Sequence, residues 1–389
     1  MFFMNNSGTS IMVIAGEISG DMHAARLVKA IQLKHPDIHF FGIGGNELRK
    51  TGMEIFYDTR DMAVLGLTEV LLKIRFFRKV FRNMLNMARE RKPDIILLVD
   101  YPGFNLRFAK KAHAMGLKIV YYICPQVWAW HQSRIPEMAR NINRLITIFP
   151  FEKEIFQNSE LSVDFVGHPL VTASSTQVTA MGAELPWKGE PYVALLPGSR
   201  YQEVKRILPV VWEAASIVEK HFPVASFIIA VPSDEVGQWV RNVLKPIRGG
   251  PVCWSIVVGR TQQVLRQARA AIVASGTATL EAAIMRCPMV VVYKVAFATY
   301  FFGRMLVNVS HLGMVNIVAE KSLCPELIQG DAKPLAIASS LEPLLRDGSE
   351  RDQMLKGFEH VIQALGKGGG DDQAADIVLE VMKTLPAAR

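Results

Sequence analysis

The chain has 389 residues, half of them hydrophobic and 21% charged, which is ample apolar material for two or three cores and argues against disorder. A formal net charge of +8 points to an anionic partner: nucleic acid, an anionic membrane or a phosphorylated substrate. Mean hydropathy is positive, +0.19, yet no apolar run approaches the roughly 18–20 residues of a spanning helix. No secretory signal is expected from the first residues, and Cys124, Cys253, Cys287 and Cys324 lie far apart, as reduced thiols of a cytoplasmic protein rather than a disulfide frame or zinc site.

In chain order, IMVIA (11–15) predicts a buried strand, and GEISGD (16–21) a glycine turn into a helix. That pattern usually cradles phosphate. Here Glu17 and Asp21 would repel one, so the loop holds something else. Further strands are predicted over 38–43, 95–100, 118–123, 144–149 and 163–167, as continuous apolar runs of the kind parallel sheets bury on both faces. Between them, residues 71–92 carry eight Lys/Arg against the single acid Glu90, interleaved with apolar residues at helical spacing. Arg75, Arg78, Lys79 and Arg82 with Phe76, Phe77 and Phe81 suit an anionic membrane surface. A helix buried on one side with a solvated basic face is the plainer alternative. No recognition motif or basic loop accompanies the stretch, which disfavours nucleic acid.

IILLVDYPG (95–103) sets Asp100 at a strand end before a Pro-Gly turn. Such a carboxylate is either a general base or the cap of the next turn. After the next strand, YYICPQVWAWHQSRI (121–135) gathers Trp128, Trp130 and His131, as core or as the lining of an acyl or sugar site. His168 falls at a domain junction, as a hinge residue or a substrate contact. Residues 171–191, rich in small residues and closing on prolines, read as a linker. The pattern then restarts, with strands predicted over 192–196, 225–231, 254–259, 270–274 and 289–293. The expected fold is therefore α/β, two Rossmann-like doubly wound domains facing a cleft. The boundaries are residues 1–172 and 190–365, with a C-terminal helix over 366–389 that could pack back on the first domain.

The second series carries the anion chemistry. LLPGSR (195–200) places Gly198 and Ser199 in a tight turn with the Arg200 guanidinium at a helix start. The alternative is an ordinary turn with a surface arginine. SGTATLEA (275–282) offers Ser275, Gly276 and Thr277 at another helix start, with Glu281 one turn on, able to accept from two vicinal ribose hydroxyls. The alternative there is a plain capped helix. Together these assign phosphate to the second domain and leave the Glu17 loop for sugar hydroxyls.

These motifs, with GIGG (42–45), MAVLGLTEVL (62–71), FPFEKEIF (149–156), FVGHPL (165–170) and VNIVAE (315–320), resemble the lipid-A-disaccharide synthase family almost end to end. Ile18 and Cys124 stand where that family usually has small residues, and Leu65 replaces a common Met. The resemblance implies a B-type glycosyltransferase fold and an inverting transfer of 2,3-diacylglucosamine from UDP to 2,3-diacylglucosamine 1-phosphate. It implies no cofactor and no metal. It implies that Asp100, with Glu17, is catalytic, that Asn316 joins the UDP-binding set, and that Ser19, Asp21, Trp128, Trp130, His131 and His168 bind acceptor or acyl chains. It further implies peripheral attachment to anionic phospholipids on the cytoplasmic face of the inner membrane, and a homodimer exchanging C-terminal parts. The competing readings are a UDP-N-acetylglucosamine 2-epimerase, a peptidoglycan glycosyltransferase, and a non-enzymatic nucleotide- or membrane-binding protein.

Overall fold

A computed structural model describes residues 8–62, 67–130, 132–171, 184–296 and 310–384. Leu65 and His131 lie outside them. The chain divides into two units, Met1–Pro169 with Lys367–Arg389, and Leu170–Gly366.

The first unit is built on a seven-stranded sheet: β1 Ser10–Ala15, β2 His39–Gly44, β3 Glu54–Asp58, β4 Ile95–Val99, β5 Ile119–Tyr122, β6 Arg144–Thr147 and β7 Val163–Phe165, ordered β3-β2-β1-β4-β5-β6-β7. Every described pairing is parallel. β1 and β4 have no solvent exposure beyond Ser10, because helices cover both faces of the sheet. Strand order reverses between these two, and their register (Ile11↔Ile95 to Ala15↔Val99) makes the chain leave both at the same level. Ligands of doubly wound sheets bind at such a reversal.

The helix Gly370–Lys383 belongs to this unit although it comes last in the chain. Its Ala374, Ala375 and Val378 are fully buried in the cluster that contains Ile11, Val13, Leu27 and Val28. Lys34 pairs with Asp376 at 2.5 Å. Lys118 donates to the carbonyls of Val381 (3.2 Å), Met382 (3.0 Å) and Thr384, placing a cation at the negative end of the helix. The helix Leu67–Arg91 covers the opposite face through Val80, Met84 and Ala88, all fully buried.

The second unit repeats the plan with six strands: β8 Tyr192–Leu196, β9 Ser226–Val231, β10 Trp254–Val258, β11 Ala270–Ala274, β12 Met289–Tyr293 and β13 Glu326–Ile328, ordered β10-β9-β8-β11-β12-β13, all parallel. Here the reversal lies between β8 and β11. The end of the stretch read as a linker is packed: Leu185 is buried, and Trp187 stacks on Tyr192 with ring centroids 4.7 Å apart.

β3 and β13 are absent from the sequence reading. Both are sheet edges whose residues (EIFYD, ELI) are only half-buried, so neither shows the continuous apolar run of a central strand.

Candidate functional site

At the first reversal the chain leaves β4 through two successive left-handed residues, Asp100 (φ 47) and Tyr101 (φ 52). Each such non-glycine position costs about 1–3 kcal/mol and persists where the surroundings over-determine it. The clamps are visible. The Asp100 N–H donates to the Tyr122 carbonyl at 3.0 Å. The Asp100 carbonyl accepts from Asn105 Nδ2 at 2.7 Å and from the Tyr121 hydroxyl at 2.6 Å. Asn105, fully buried, also reaches the Ile14 and Val99 carbonyls, tying β1 to β4. The Tyr101 ring lies on Gly16, where a Cβ would come within 2.3 Å of it, so this glycine is required by a close approach. The backbone is thus held, and the Asp100 carboxylate projects from the strand end beside Glu17.

Burial, and then the charge of Glu17, push the Asp100 carboxyl up to about 6, offset in part by the Tyr101 amide. A carboxylate tuned upward towards neutral pH is suited to take a proton from a hydroxyl. Glu17, exposed at the start of the helix Ile18–Lys34, completes the pair, and Ser19 is exposed beside it.

Asp21 departs from expectation. It was to face sugar hydroxyls, but it is buried, and its carboxylate accepts from the backbone amides of Gly45 (2.6 Å), Glu47 (2.9 Å) and Leu48 (3.2 Å). It caps the short helix Asn46–Arg49 and fixes the 42–45 loop. Trp128 is likewise buried, edge-on to Phe151 at 5.1 Å, and so is part of the packing rather than an acyl lining. His168 is 4% exposed and tilted on Phe149 at 5.0 Å; burial drops its pKa to about 3, keeping it neutral. Its surroundings are those of a packed interior histidine. The Trp130 backbone ends the turn Val127–Trp130.

Sequence reasoning missed Glu152. It is 2% exposed, burial raises its carboxyl to about 8, and the charge of Asp100 adds to the rise. Its Oε2 accepts from the Phe149 amide at 3.3 Å. Its capping-box position after FP was legible; its approach to Asp100 was not, because β4 and the 149–156 segment meet only in the fold. Cys124, between them, is buried; burial first, and then the charges of Glu152 and Asp100, push its thiol upward.

At the second reversal the loop after β8 has already gathered an anion. Glu203 Oε2 accepts from the amides of Ser199 (3.1 Å) and Arg200 (3.3 Å), and Oε1 accepts from the Arg200 guanidinium at 3.3 Å. Gly198 (φ 111) is required here, since a Cβ would sit 2.6 Å from Glu203 Oε2. The Arg200 side chain remains 77% exposed. After β11, Gly276 (φ 142) faces open space, Thr277 is exposed, and the Ser275 hydroxyl donates to the Leu312 carbonyl at 2.8 Å. Burial raises the Glu281 carboxyl, against a hydrogen bond from Gln262. Tyr293, at the end of β12, feels both Glu203 and Arg200, which adds a third strand end to the cluster. Asn316 does not join it. It is 1% exposed, its Nδ2 donates to the Cys324 carbonyl and to Glu326 Oε1, both at 2.8 Å, and its Oδ1 accepts from the Cys324 amide. Its hydrogen bonds are spent on tying the helix Met314–Ala319 to the turn before β13.

On the helix Leu67–Arg91, Arg75, Arg78, Lys79 and Arg82 are exposed. The phenylalanines expected to enter lipid turn inward instead. Phe81 packs edge-on to Phe104 (5.3 Å) and Phe108 (5.7 Å), and Phe76 meets Tyr57 and Phe77. No helix among the described residues is long and apolar enough to cross a membrane.

A family model described as lipid-A-disaccharide synthetase matches residues 11–378. The chain is 38% identical over 375 residues to the lipid-A-disaccharide synthase of Myxococcus xanthus, covering 96% of this chain and 97% of that one. It is 38% identical over 376 residues to that of Syntrophus aciditrophicus, covering 96% and 98%. Among solved structures it is similar to the glycotransferase of kitacinnamycin (TM-score 0.65, 14% identity, covering 96% and 99%). It is also similar to a putative UDP-N-acetylglucosamine 2-epimerase from Listeria monocytogenes (TM-score 0.64, 15% identity, covering 97% and 96%). At such identities the structural likenesses speak for the fold alone.

Proposed function

The chain belongs to the lipid-A-disaccharide synthase family, and from that premise we propose that Asp100 is the base of its glycosyl transfer and the Arg200 loop the seat of its leaving group. The enzyme is a glycosyltransferase with two Rossmann-like domains of the B-type fold. Its reaction condenses UDP-2,3-diacylglucosamine with 2,3-diacylglucosamine 1-phosphate, giving a β-1,6-linked disaccharide 1-phosphate and UDP. The acceptor's 6-hydroxyl oxygen attacks C1 of the donor sugar on the face opposite UDP. Its proton passes to Asp100. The C1–O bond to the diphosphate breaks with its electron pair, so configuration inverts and negative charge collects on UDP. The observation that carries this reading is the Asp100 carboxyl itself, raised to about 6 and held at the strand reversal by a strained, fully clamped turn.

The Arg200 guanidinium and the helix start at 275–277 supply cation and donors for the departing diphosphate, and Glu281 accepts from ribose hydroxyls. That the same turn already holds an anion, the Glu203 carboxylate, on the Ser199 and Arg200 amides supports this reading. With these donors UDP departs without a metal or other cofactor. The exposed bases of the 75–82 turn support docking on anionic phospholipid at the cytoplasmic face of the inner membrane, and a homodimer is compatible with this chemistry. Purified protein given both lipid substrates should yield UDP and a disaccharide of the summed acyl mass. UDP formation without lipid acceptor, or with no product of that mass, would overturn the reading.

A further inference from the structure

The first unit contains a cavity of about 440 Å³ that begins at Ile18, the residue after Glu17. Its floor is one stripe of the helix Ile18–Lys34: Ile18, Met22, Ala25, Arg26 and Lys29 recur at helical spacing. The facing wall is the start of the helix Asn46–Arg49 and the turn at 58–60. The stripe changes character along its length. Nearest the catalytic loop it is apolar and wet, with Ile18 66% and Met22 46% exposed. Three to four residues on it becomes cationic.

The charges have an asymmetry that calls for a ligand. Each acid lining the cavity is engaged: Asp21 by three backbone amides, Glu47 by Lys50 at 2.6 Å, and Asp58 by both Arg49 and Arg60. The two arginines hold the Asp58 carboxyl well below the usual range. Arg26 and Lys29 make no described hydrogen bond or close ion pair; Arg26 feels the charge of Asp371 and Lys29 that of Glu47 only at longer range. Side chains on a helix lean towards its N-terminus, so Arg26 leans back towards Met22, with Lys29 one turn behind it. Met22 lies about 7.5 Å of helix rise beyond Glu17.

Building on the function proposed above, we propose that this groove is the acceptor's headgroup subsite: Arg26 and Lys29 hold the 1-phosphate while Ile18 and Met22 carry the root of an acyl chain. A pyranose bound this way has its phosphate end over the cations and its opposite end, with the 6-hydroxyl, at the catalytic loop. The groove therefore sets which end of the acceptor meets the base. Asn46 at its rim offers a neutral partner to a ring hydroxyl or amide.

The test is equilibrium binding of 2,3-diacylglucosamine 1-phosphate and of its phosphate-free counterpart to the full-length enzyme in neutral-detergent micelles. Wild type should prefer the phosphorylated form. Arg26→Gln with Lys29→Gln should weaken that ligand roughly tenfold to a hundredfold, the range for hydrogen bonds to charged groups. Affinity for the phosphate-free form and for UDP should not move. Lys29→Arg should keep most of the preference, and Ile18→Ser with Met22→Ser should weaken both lipids equally. Equal loss of both lipids in the double glutamine variant, an undiminished preference in it, or no preference in wild type would each overturn the assignment. Binding needs no turnover, so a failure here is separate from a failure to form disaccharide.

Discussion

The two strand reversals are built alike and charged oppositely. At the first, Asp100 is desolvated beside Glu17 with no cation among the described residues paired to either, and the fold itself resists its ionisation. At the second, Arg200 stands open to solvent, with the neighbouring amides turned onto the Glu203 carboxylate. The same doubly wound sheet thus serves two ends of one reaction. One crevice stores a carboxylate that gains by taking a proton. The other holds its donors on an internal carboxylate, Glu203, whose place an incoming anion can take. The difference lies in a few loop residues, as expected where scaffold and site are separable.

The sharpest way to break the contrast is Asp100→Asn, which removes the base and leaves the second crevice untouched. Turnover should fall roughly 10²–10⁴-fold, with UDP affinity unchanged by calorimetry. Near-normal turnover would shift the role, with Glu17 the first substitute to examine. The same variant should be the more stable protein at pH 8. The sign follows from the pKa: the folded value, about 6, lies above the ordinary 3.8, so ionisation is disfavoured in the folded state. Wild type recovers that stability as pH falls through 6 towards 4, so the gap in melting temperature between the two should close over that window.

Arg200→Ala attacks the other crevice. Losing one donor to a developing anion costs roughly 10²–10³ in turnover, and activity of the intact enzyme should survive EDTA. Loss of activity in EDTA would mean that a metal, not Arg200, neutralises the diphosphate.

Replacing Arg75, Arg78, Lys79 and Arg82 by Ser should weaken sedimentation with anionic vesicles and raise the apparent KM for lipid substrates, leaving UDP affinity alone. Each base contributes at most about 1 kcal/mol. Because Phe76, Phe77 and Phe81 pack inward, the interaction should be strongly salt-sensitive. Vesicle binding that persists in the quadruple variant would place the membrane surface elsewhere.

The smallest expected effect sharpens the first crevice. Glu17→Gln removes one cause of the raised Asp100 pKa. The acid limb of kcat/KM, expected near pH 6 in wild type, should move to lower pH. An unmoved limb would show that another group titrates there.

The doubly wound plan was legible because both sheets are buried on two faces, so their central strands read as unbroken apolar runs. Asp100, Arg200 and the 275–277 turn were legible because strand ends and helix starts can be found from sequence alone. What was not legible is how side chains spend their hydrogen bonds. Asp21 and Asn316 looked like ligand groups because their loops do. Each is buried with its polar atoms turned onto backbone, a choice settled by packing across 24 and 8 residues of separation. Arg26 and Lys29 escaped notice for the converse reason. An ordinary helix stripe becomes a pocket wall only when the 46–49 and 58–60 turns fold against it.

The helix Gly370–Lys383 carries a further consequence, for the order of assembly. Its alanines fill the same cluster as the first strand, more than 350 residues away along the chain. Domains generally fold as units while synthesis proceeds from the N-terminus. Here the face that the helix Ile18–Lys34 covers in part stays incomplete until residues 370–383 have been synthesised, and the second unit can fold before the first is complete. Asp100 is therefore built on a framework finished only once residues 370–383 are in place, so a chain broken off before them exposes an unfinished core.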